Sequence, residues 1–469
     1  MMWGLITLLT FGGHLSIHQY EHELHRAHAE ITPIADHEQS FVPIRLHDRT
    51  MIKDFYGYCP YWIDTTYYAY FQLDLLTQCA YFGVDIDPAT GSLTGIPNQY
   101  RFEMIRDTAH ASGVVVHMTF TLFGNSNVST FLNNATARQN AISSMSSFVT
   151  NYGIDGVNID FEFVTSSVRD SFNLFMHDLA HEMWNHSGGY KDVYIAAPPV
   201  PEWYPGYDVA YLSDNCDGLF IMAYNFHYSG SAIAGPVSPC VPSAFWGSYC
   251  CARSIGSYIS YGADSTKLLL GVPYYGIDWP TETGDIGSAT TGSGTARIYY
   301  YAFQGANTYG RLWDTYSLTP WYRYYTTEWH QCWYDDSASL DVKLELVIDS
   351  VIHGAGCWAL GYDRSYDHLW NTIRRRFWDP SLVGEVERTS ISGCTILNTI
   401  SKTSWRVQGL QEDQLYTVKL HDMTGRLVAQ KLHKGAAIID IGHGMSSGIY
   451  FLVIVHKREY CIHKVIMLR

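Results

Sequence analysis

The sequence has no surplus of positive charge: 30 Lys and Arg stand against 45 Asp and Glu, a formal net charge of −15 at pH 7. Such a chain repels a phosphate backbone, which excludes nucleic acid as a partner. It also has no run long enough for a transmembrane helix. The most apolar stretch, "MMWGLITLLTFGG" at the N-terminus, spans about a dozen residues and fits a signal-peptide core instead, though no Lys or Arg precedes it. The ten cysteines contain no CxxC pair, so there is no zinc signature, and no metal or cofactor is expected. In an exported chain Cys240 could pair with Cys250 or Cys251, a choice that spacing does not make. The HExxH of zinc proteases is missing too. The segment "SIHQYEHELHRAHAE" reads HELH; as a helix it would place His18, His22 and His25 on one face, but a solvated polar segment is the expectation.

What the chain does have is apolar bulk and aromatic rings. Hydrophobic residues make up 47% of 469 positions, enough for one large catalytic domain and a smaller one, and 36 Tyr with 14 Trp offer flat faces on which sugar rings stack. The stretch "GIDGVNIDFEFV", residues 153–164, interrupts a β-like run with acids. Side chains alternate on a strand, so Val157, Ile159 and Phe161 share one face and Asn158, Asp160 and Glu162 the other. Either this is an edge strand with a wet face, or the acids are held inside for chemistry, because unpaired buried charge costs several kcal/mol.

The neighbouring segments decide between these. Eight strand candidates recur, at 55–61, 78–84, 114–121, 156–163, 193–198, 218–225, 268–275 and 356–363, separated by segments with apolar residues at helical spacing. Alternating strands and helices predict a parallel sheet with right-handed crossovers, and eight units predict an α/β (β/α)8 TIM barrel. The oily face of the acidic strand would then meet the helices, and Glu162 would sit at the mouth. A Gly/Ser/Thr loop followed by aromatic alternation after residue 277 predicts a small α+β or β insertion between strands seven and eight, either a wall over the mouth or a surface elaboration. Beyond residue 391 short strands separated by turns predict a C-terminal all-β sandwich.

"DGVNIDFE" resembles the DGxDxDxE signature of the family 18 glycoside hydrolases, the chitinase-like barrels, with Asn158 in place of the middle acid. "YGYCPYW", "FIMAYN", "GVPYYG" and "GCWALGYD" resemble that family's first, sixth, seventh and eighth strands, over residues 55 to 378. The third strand departs, reading "TLFG" where SxGG is usual. The resemblance implies a retaining, substrate-assisted reaction. Glu162 would be the proton donor, Asp160 would accept the N–H of the sugar's 2-acetamido group, Tyr224 would donate to its oxygen, and Trp358 would form the floor. Asn158, which could donate its amide to Asp160, and Asn225 join as substrate-binding candidates. Tyr58, Phe82 and Trp203, with Tyr275 and Asp278, are candidates by position near strand ends, while Asp155 is expected to support the strand.

The expected organisation is a signal peptide at 1–16, an N-terminal polar segment at 17–52, the catalytic barrel at 53–380, a linker at 381–393 and a β-sandwich at 394–469. That last domain, with "DMTGRLV" and "SSGIYFLVI", resembles type IX secretion sorting domains, which implies a secreted or cell-surface protein whose partners are the secretion machinery and a glycan containing N-acetylglucosamine. The expected activity is cleavage of β-1,4-linked N-acetylglucosamine polymers such as chitin. Alternatives are an endo-β-N-acetylglucosaminidase acting on N-glycans or peptidoglycan, a chitin-binding lectin without catalysis, and an acidic metal site, which no strand-end His supports.

Overall fold

The structure, a computed structural model, describes residues 15–35, 39–44 and 51–378, and the strands between residues 395 and 467 with residues 410, 414 and 441. Two compact units emerge, Met1–Leu46 with Lys53–Tyr366, and His47–Ile52 with Asp367–Arg469.

The first unit is built on a closed barrel of eight parallel strands: β1 (Asp54–Pro60), β2 (Gln78–Asp85), β3 (Val115–Leu122), β4 (Gly156–Phe161), β5 (Asp192–Ala197), β6 (Gly218–Ile221), β7 (Leu268–Pro273) and β8 (Gly354–Trp358). β8 pairs with both β7 and β1, which closes the ring. All eight are found where apolar β-like runs predict them, yet β4, β6, β7 and β8 stop two or more residues short, β7 ending at Pro273 before Tyr275 opens the next strand. β4 ends at Phe161 because Phe163 takes a positive φ of 66°, although the Glu162 amide still donates to Leu122 on β3 at 3.1 Å. β6 ends at Ile221, not at residue 225. There the amides of Ala223 and Tyr224 turn back to the carbonyls of Ile221 and Met222, and Asn225 has φ 58°. β8 starts two residues early and ends at Trp358, after which the Leu360 amide crosses to the Tyr58 carbonyl at 2.8 Å.

Alternation on β4 works as the sequence predicts. Phe161 packs outward on Phe131, Phe172 and Phe175 of the flanking helices, with ring centroids 5.4–6.1 Å apart. The opposite face points into the barrel, where Tyr58 of β1 donates to Asn158 at 3.2 Å. The edge-strand alternative is thereby excluded, since β4 pairs on both sides, with β3 and β5. The helix before β4, Ala135–Tyr152, stops at Gly153, whose φ of 60° is the left-handed C-terminal conformation that glycine adopts without strain. Asp155 then anchors the start of β4: its carboxylate accepts from His110 and from the Val116 amide, both at 2.8 Å.

Between β7 and β8 lies an α+β insertion, a five-stranded antiparallel sheet in the order 295–298, 275–281, 329–333, 319–325, 312–314, with one helix, Tyr299–Tyr309. The eight cysteines of the first unit are all buried free thiols, so the proposed pairing of Cys240 with Cys250 or Cys251 is not formed. Cys240 instead donates to backbone carbonyls and Cys251 contacts the Ser238 hydroxyl.

The second unit contains the helix His368–Phe377, a three-stranded sheet and a five-stranded sheet, and Val418, Leu420, Leu452 and Ile454 of the five-stranded sheet are buried in one apolar cluster. The contact boundary falls after Tyr366, earlier than the expected 380, because the last helix groups with this unit. Residues 1–14 of the expected signal peptide and the expected linker at 381–393 lie outside the described residues. Among the described residues no helix is long and apolar enough to cross a membrane.

Candidate active site

The mouth of the barrel gathers side chains from five strands. Asp160 on β4 is fully buried, and Glu162, one residue past the strand, is 4% exposed. Tyr224 comes from the turn after β6 and Trp358 from the last position of β8, both buried. Phe82 near the end of β2 meets the Trp358 ring edge-on at 4.8 Å, and Tyr58 lies 5.6 Å from it. Asn225 accepts from the Tyr275 hydroxyl at 2.5 Å. Trp203 packs on Phe226 and Tyr249 and lines, with Glu162 and Tyr224, a partly open cleft. Asp278 does not join this group. The insertion takes it up: Tyr324 donates to it at 2.7 Å, and Arg297 and His330 face it at 3.4 Å.

The expected bond from the Asn158 amide to Asp160 is not formed. The Asn158 oxygen is held by Tyr58, and neither its amide nitrogen nor Asp160 Oδ1 has a hydrogen-bond partner within the protein. Asp160 turns its other oxygen to a different group altogether.

That group is His18. The segment expected to be solvated forms a helix, α1 (Ile17–Arg26), seated in the mouth, with His18 fully buried and His22 5% exposed. Ser16 is its N-cap, accepting from the Gln19 amide at 3.0 Å, and the same hydroxyl donates to Glu162 Oε1 at 2.6 Å. His18 Nδ1 contacts Asp160 Oδ2 and its Nε2 contacts the Tyr224 hydroxyl, each at 2.8 Å. The imidazole lies on Trp358, centroids 3.7 Å apart and planes 26° off parallel. One turn on, Glu21 Oε2 accepts from Trp358 Nε1 and the Tyr362 hydroxyl, each at 2.7 Å. His22 and Arg26 grip Asp85 at 2.9 Å, and His25 stacks on Trp62.

With water excluded, desolvation governs the titration of these groups. Burial lowers His18 to about 4 and raises Asp160 to about 8. Burial, then the Asp160 charge, raises Glu162 to about 8. Burial also raises Glu21 to about 7 against its two donors. His18 is therefore neutral, with one ring nitrogen donating and the other accepting. His18, Asp160 and Glu162 each offer a ligand atom, all within 4.8 Å, a grouping that could hold a metal ion by composition. Both imidazole nitrogens are, however, already at hydrogen-bond distance from Asp160 and Tyr224.

An acid, a second carboxyl, a phenol and an indole floor on β4, β6 and β8 of a (β/α)8 barrel form a recognisable set, and the sequence profile described as Glycosyl hydrolases family 18 matches residues 54–363. The chain belongs to glycoside hydrolase family 18. It is 31% identical over 258 residues to the "Putative sporulation-specific glycosylase YdhD" of Bacillus subtilis (strain 168), covering 52% of this chain and 56% of that one. It is 25% identical to "Chitotriosidase-1" of Mus musculus, covering 51% and 56%. The chain thus spans about half the length of these curated relatives. Among solved structures, a GH18 chitinase from Cycas revoluta in complex with (GlcNAc)3 superposes with a TM-score of 0.60 at 19% identity, covering 68% of this chain and 98% of that one. The Bacillus cereus spore cortex-lytic enzyme SleL gives 0.59 at 18%, covering 71% and 76%.

Ser16, His18, Glu21 and Tyr362 were not singled out by sequence as parts of this family 18 site. The one local signal was the spacing of His18, His22 and His25 on a helix face, which marks a shared face without saying what it meets.

Glu162 carries a pH prediction. Its folded-state pKa of about 8 lies above the ordinary 4.5, so its contribution to stability is complete below about pH 4.5 and is lost as pH rises through 8. A Glu162→Gln chain cannot lose it. The melting temperature of the native chain should fall more steeply between pH 5 and pH 8 than that of Glu162→Gln; parallel slopes in a calorimetric series would contradict the assignment.

Proposed function

We propose that the chain hydrolyses β-1,4 bonds in polymers containing N-acetylglucosamine, chitin foremost, by retaining, substrate-assisted catalysis. What carries the reading is a single arrangement: Asp160 and Tyr224 approach the two heteroatoms of one planar five-membered ring lying on Trp358, with Glu162 beside it. An acetamido group folded beneath its own sugar offers the same two contacts. Its N–H would donate to Asp160 and its carbonyl oxygen would accept from Tyr224.

In the first step that carbonyl oxygen attacks the anomeric carbon while the glycosidic bond breaks, and Glu162 gives its proton to the departing oxygen. The product is an oxazolinium ion whose positive charge Asp160 offsets. Glu162, now a carboxylate, then takes a proton from water, the resulting nucleophile attacks the anomeric carbon, and the ring reopens to the acetamide. Two inversions leave the configuration retained. Asp160 and Glu162 project from the same side of one strand end, about 6.6 Å apart along the chain, so they do not flank the bond as a nucleophile and acid would. The partly open cleft beside Glu162, with Trp203 and Tyr204 in its lining, gives the departing half of the substrate aromatic surface to rest on.

A second substrate reading is an endo-β-N-acetylglucosaminidase acting on N-glycans or peptidoglycan; the Bacillus subtilis relative named "Cortical fragment-lytic enzyme", 24% identical over 255 residues, is lytic by name. Peptidoglycan sugars also carry the 2-acetamido group, so both readings use the same residues. Chromatography of products from chitin oligomers, N-glycopeptides and peptidoglycan separates them. Glu162→Gln should lower turnover of the true substrate by about 10²–10⁴-fold, the usual contribution of a positioned acid; undiminished turnover would remove Glu162 from the mechanism.

We also propose export, with a leader that ends before Ser16, one residue short of the expected 1–16 because Ser16 caps α1, and with 394–469 as the sorting domain that engages secretion machinery. The motifs near residues 422–428 and 446–454 and the two-sheet C-terminal unit support it. Intact mass of the protein recovered outside the cell should lack both ends; full-length chain retained inside would contradict export.

A further inference from the structure

We infer that residues 16–26 are an internal ligand of the active site, holding the chain in a latent form in which His18 stands in for the reactive part of the sugar, so that no sugar enters until α1 leaves. The inference rests on the substrate reading above, because it assigns the contacts of α1 to positions that the acetamido sugar would take.

The correspondence runs atom by atom. In imidazole the two nitrogens flank one carbon, Cε1, just as nitrogen and oxygen flank the former carbonyl carbon of an oxazolinium ring. His18 Nδ1 faces Asp160 and Nε2 faces Tyr224, and the ring lies flat on Trp358. The Ser16 hydroxyl donates to Glu162, the group that would otherwise address the glycosidic oxygen or the incoming water. Glu21 occupies Trp358 Nε1, so even the edge of the floor is engaged. Sugar and helix cannot share these atoms.

The rest of α1 clamps it in place without touching the reacting groups. His22 and Arg26 pair with Asp85 at the end of β2, the Tyr61 hydroxyl donates to the His22 carbonyl, and Ile17 is buried. After Arg26 the chain becomes exposed at Ala27 and His28, then pairs Ile31–Thr32 with Ile96–Pro97. That short pairing tethers the ligand, giving it an effective concentration of the order of mM. A sugar competing with a tethered ligand binds weaker by the fraction of chains that are open, so a site open in about 1% of molecules shows about a hundredfold weaker apparent affinity.

The test uses the full chain with a site-specific protease sequence inserted between Ala27 and His28. Binding of chitotetraose is measured by calorimetry in the Glu162→Gln background, and turnover in the native background, before and after cutting and gel filtration. Uncut His18→Asp, which sets a third carboxyl against Asp160 and Glu162, opens the site without cutting and decides the matter if the fragment stays bound. Opened chains should bind the tetraose at least tenfold tighter than the intact chain and turn it over at least tenfold faster. A synthetic peptide of residues 15–28 should restore the block in competition with sugar, at least tenfold better than its His18→Ala form. If the opened chains bind no better than the intact one, the internal-ligand proposal is overturned. If they bind tightly but cleave nothing, the proposal stands and the hydrolase reading fails.

Discussion

Three carboxyl groups, Asp160, Glu162 and Glu21, share one dry space at the end of a barrel, and the arrangement around them follows from the need to give each a partner. A buried carboxylate without donors costs several kcal/mol. Here Ser16 serves Glu162, His18 serves Asp160, and Trp358 with Tyr362 serves Glu21. Every partner but the last two comes from α1 or its cap. The same carboxyls that would run the chemistry therefore also draw the helix into the mouth.

The barrel makes this possible by holding the partners fixed. β4, paired on both sides, sends Asp160 inward and Phe161 out to the helix layer, so the acid cannot swing to solvent without breaking an aromatic cluster. Tyr58 on β1 holds Asn158 from across the ring, which leaves Asp160 with one oxygen unpartnered by protein and the other free to meet whatever occupies the mouth. A rigid site with an unmet hydrogen-bonding demand selects a planar ligand offering one donor and one acceptor. Imidazole meets that description, as does an acetamido group.

Much of this was legible in the sequence because it is periodic or local. Alternation placed the acidic face of β4 inward, and the recurrence of apolar runs gave the barrel and its eight strands. Strand ends were less legible, since the positive φ at Phe163 and Asn225 has no glycine to announce it. Asp278 sits by a strand end yet belongs to the insertion, where Tyr324, Arg297 and His330 claim it. The fate of α1 was hidden for a different reason. A helix rich in His and Glu reads as solvated, and only the tertiary fold supplies buried carboxyls and indoles for those polar groups to satisfy. Its burial is a long-range fact, joining positions 18 and 160, or 21 and 358.

The central claim is that one set of atoms serves helix and sugar in turn. Hydrogen–deuterium exchange on full-length Glu162→Gln, read with and without saturating chitotetraose, tests it most directly. The account predicts that sugar accelerates exchange across residues 17–26 while protecting the strand ends around Asp160 and Trp358. Sugar bound to saturation with α1 as protected as before would show that the two do not compete, and that His18 does not hold the sugar's place.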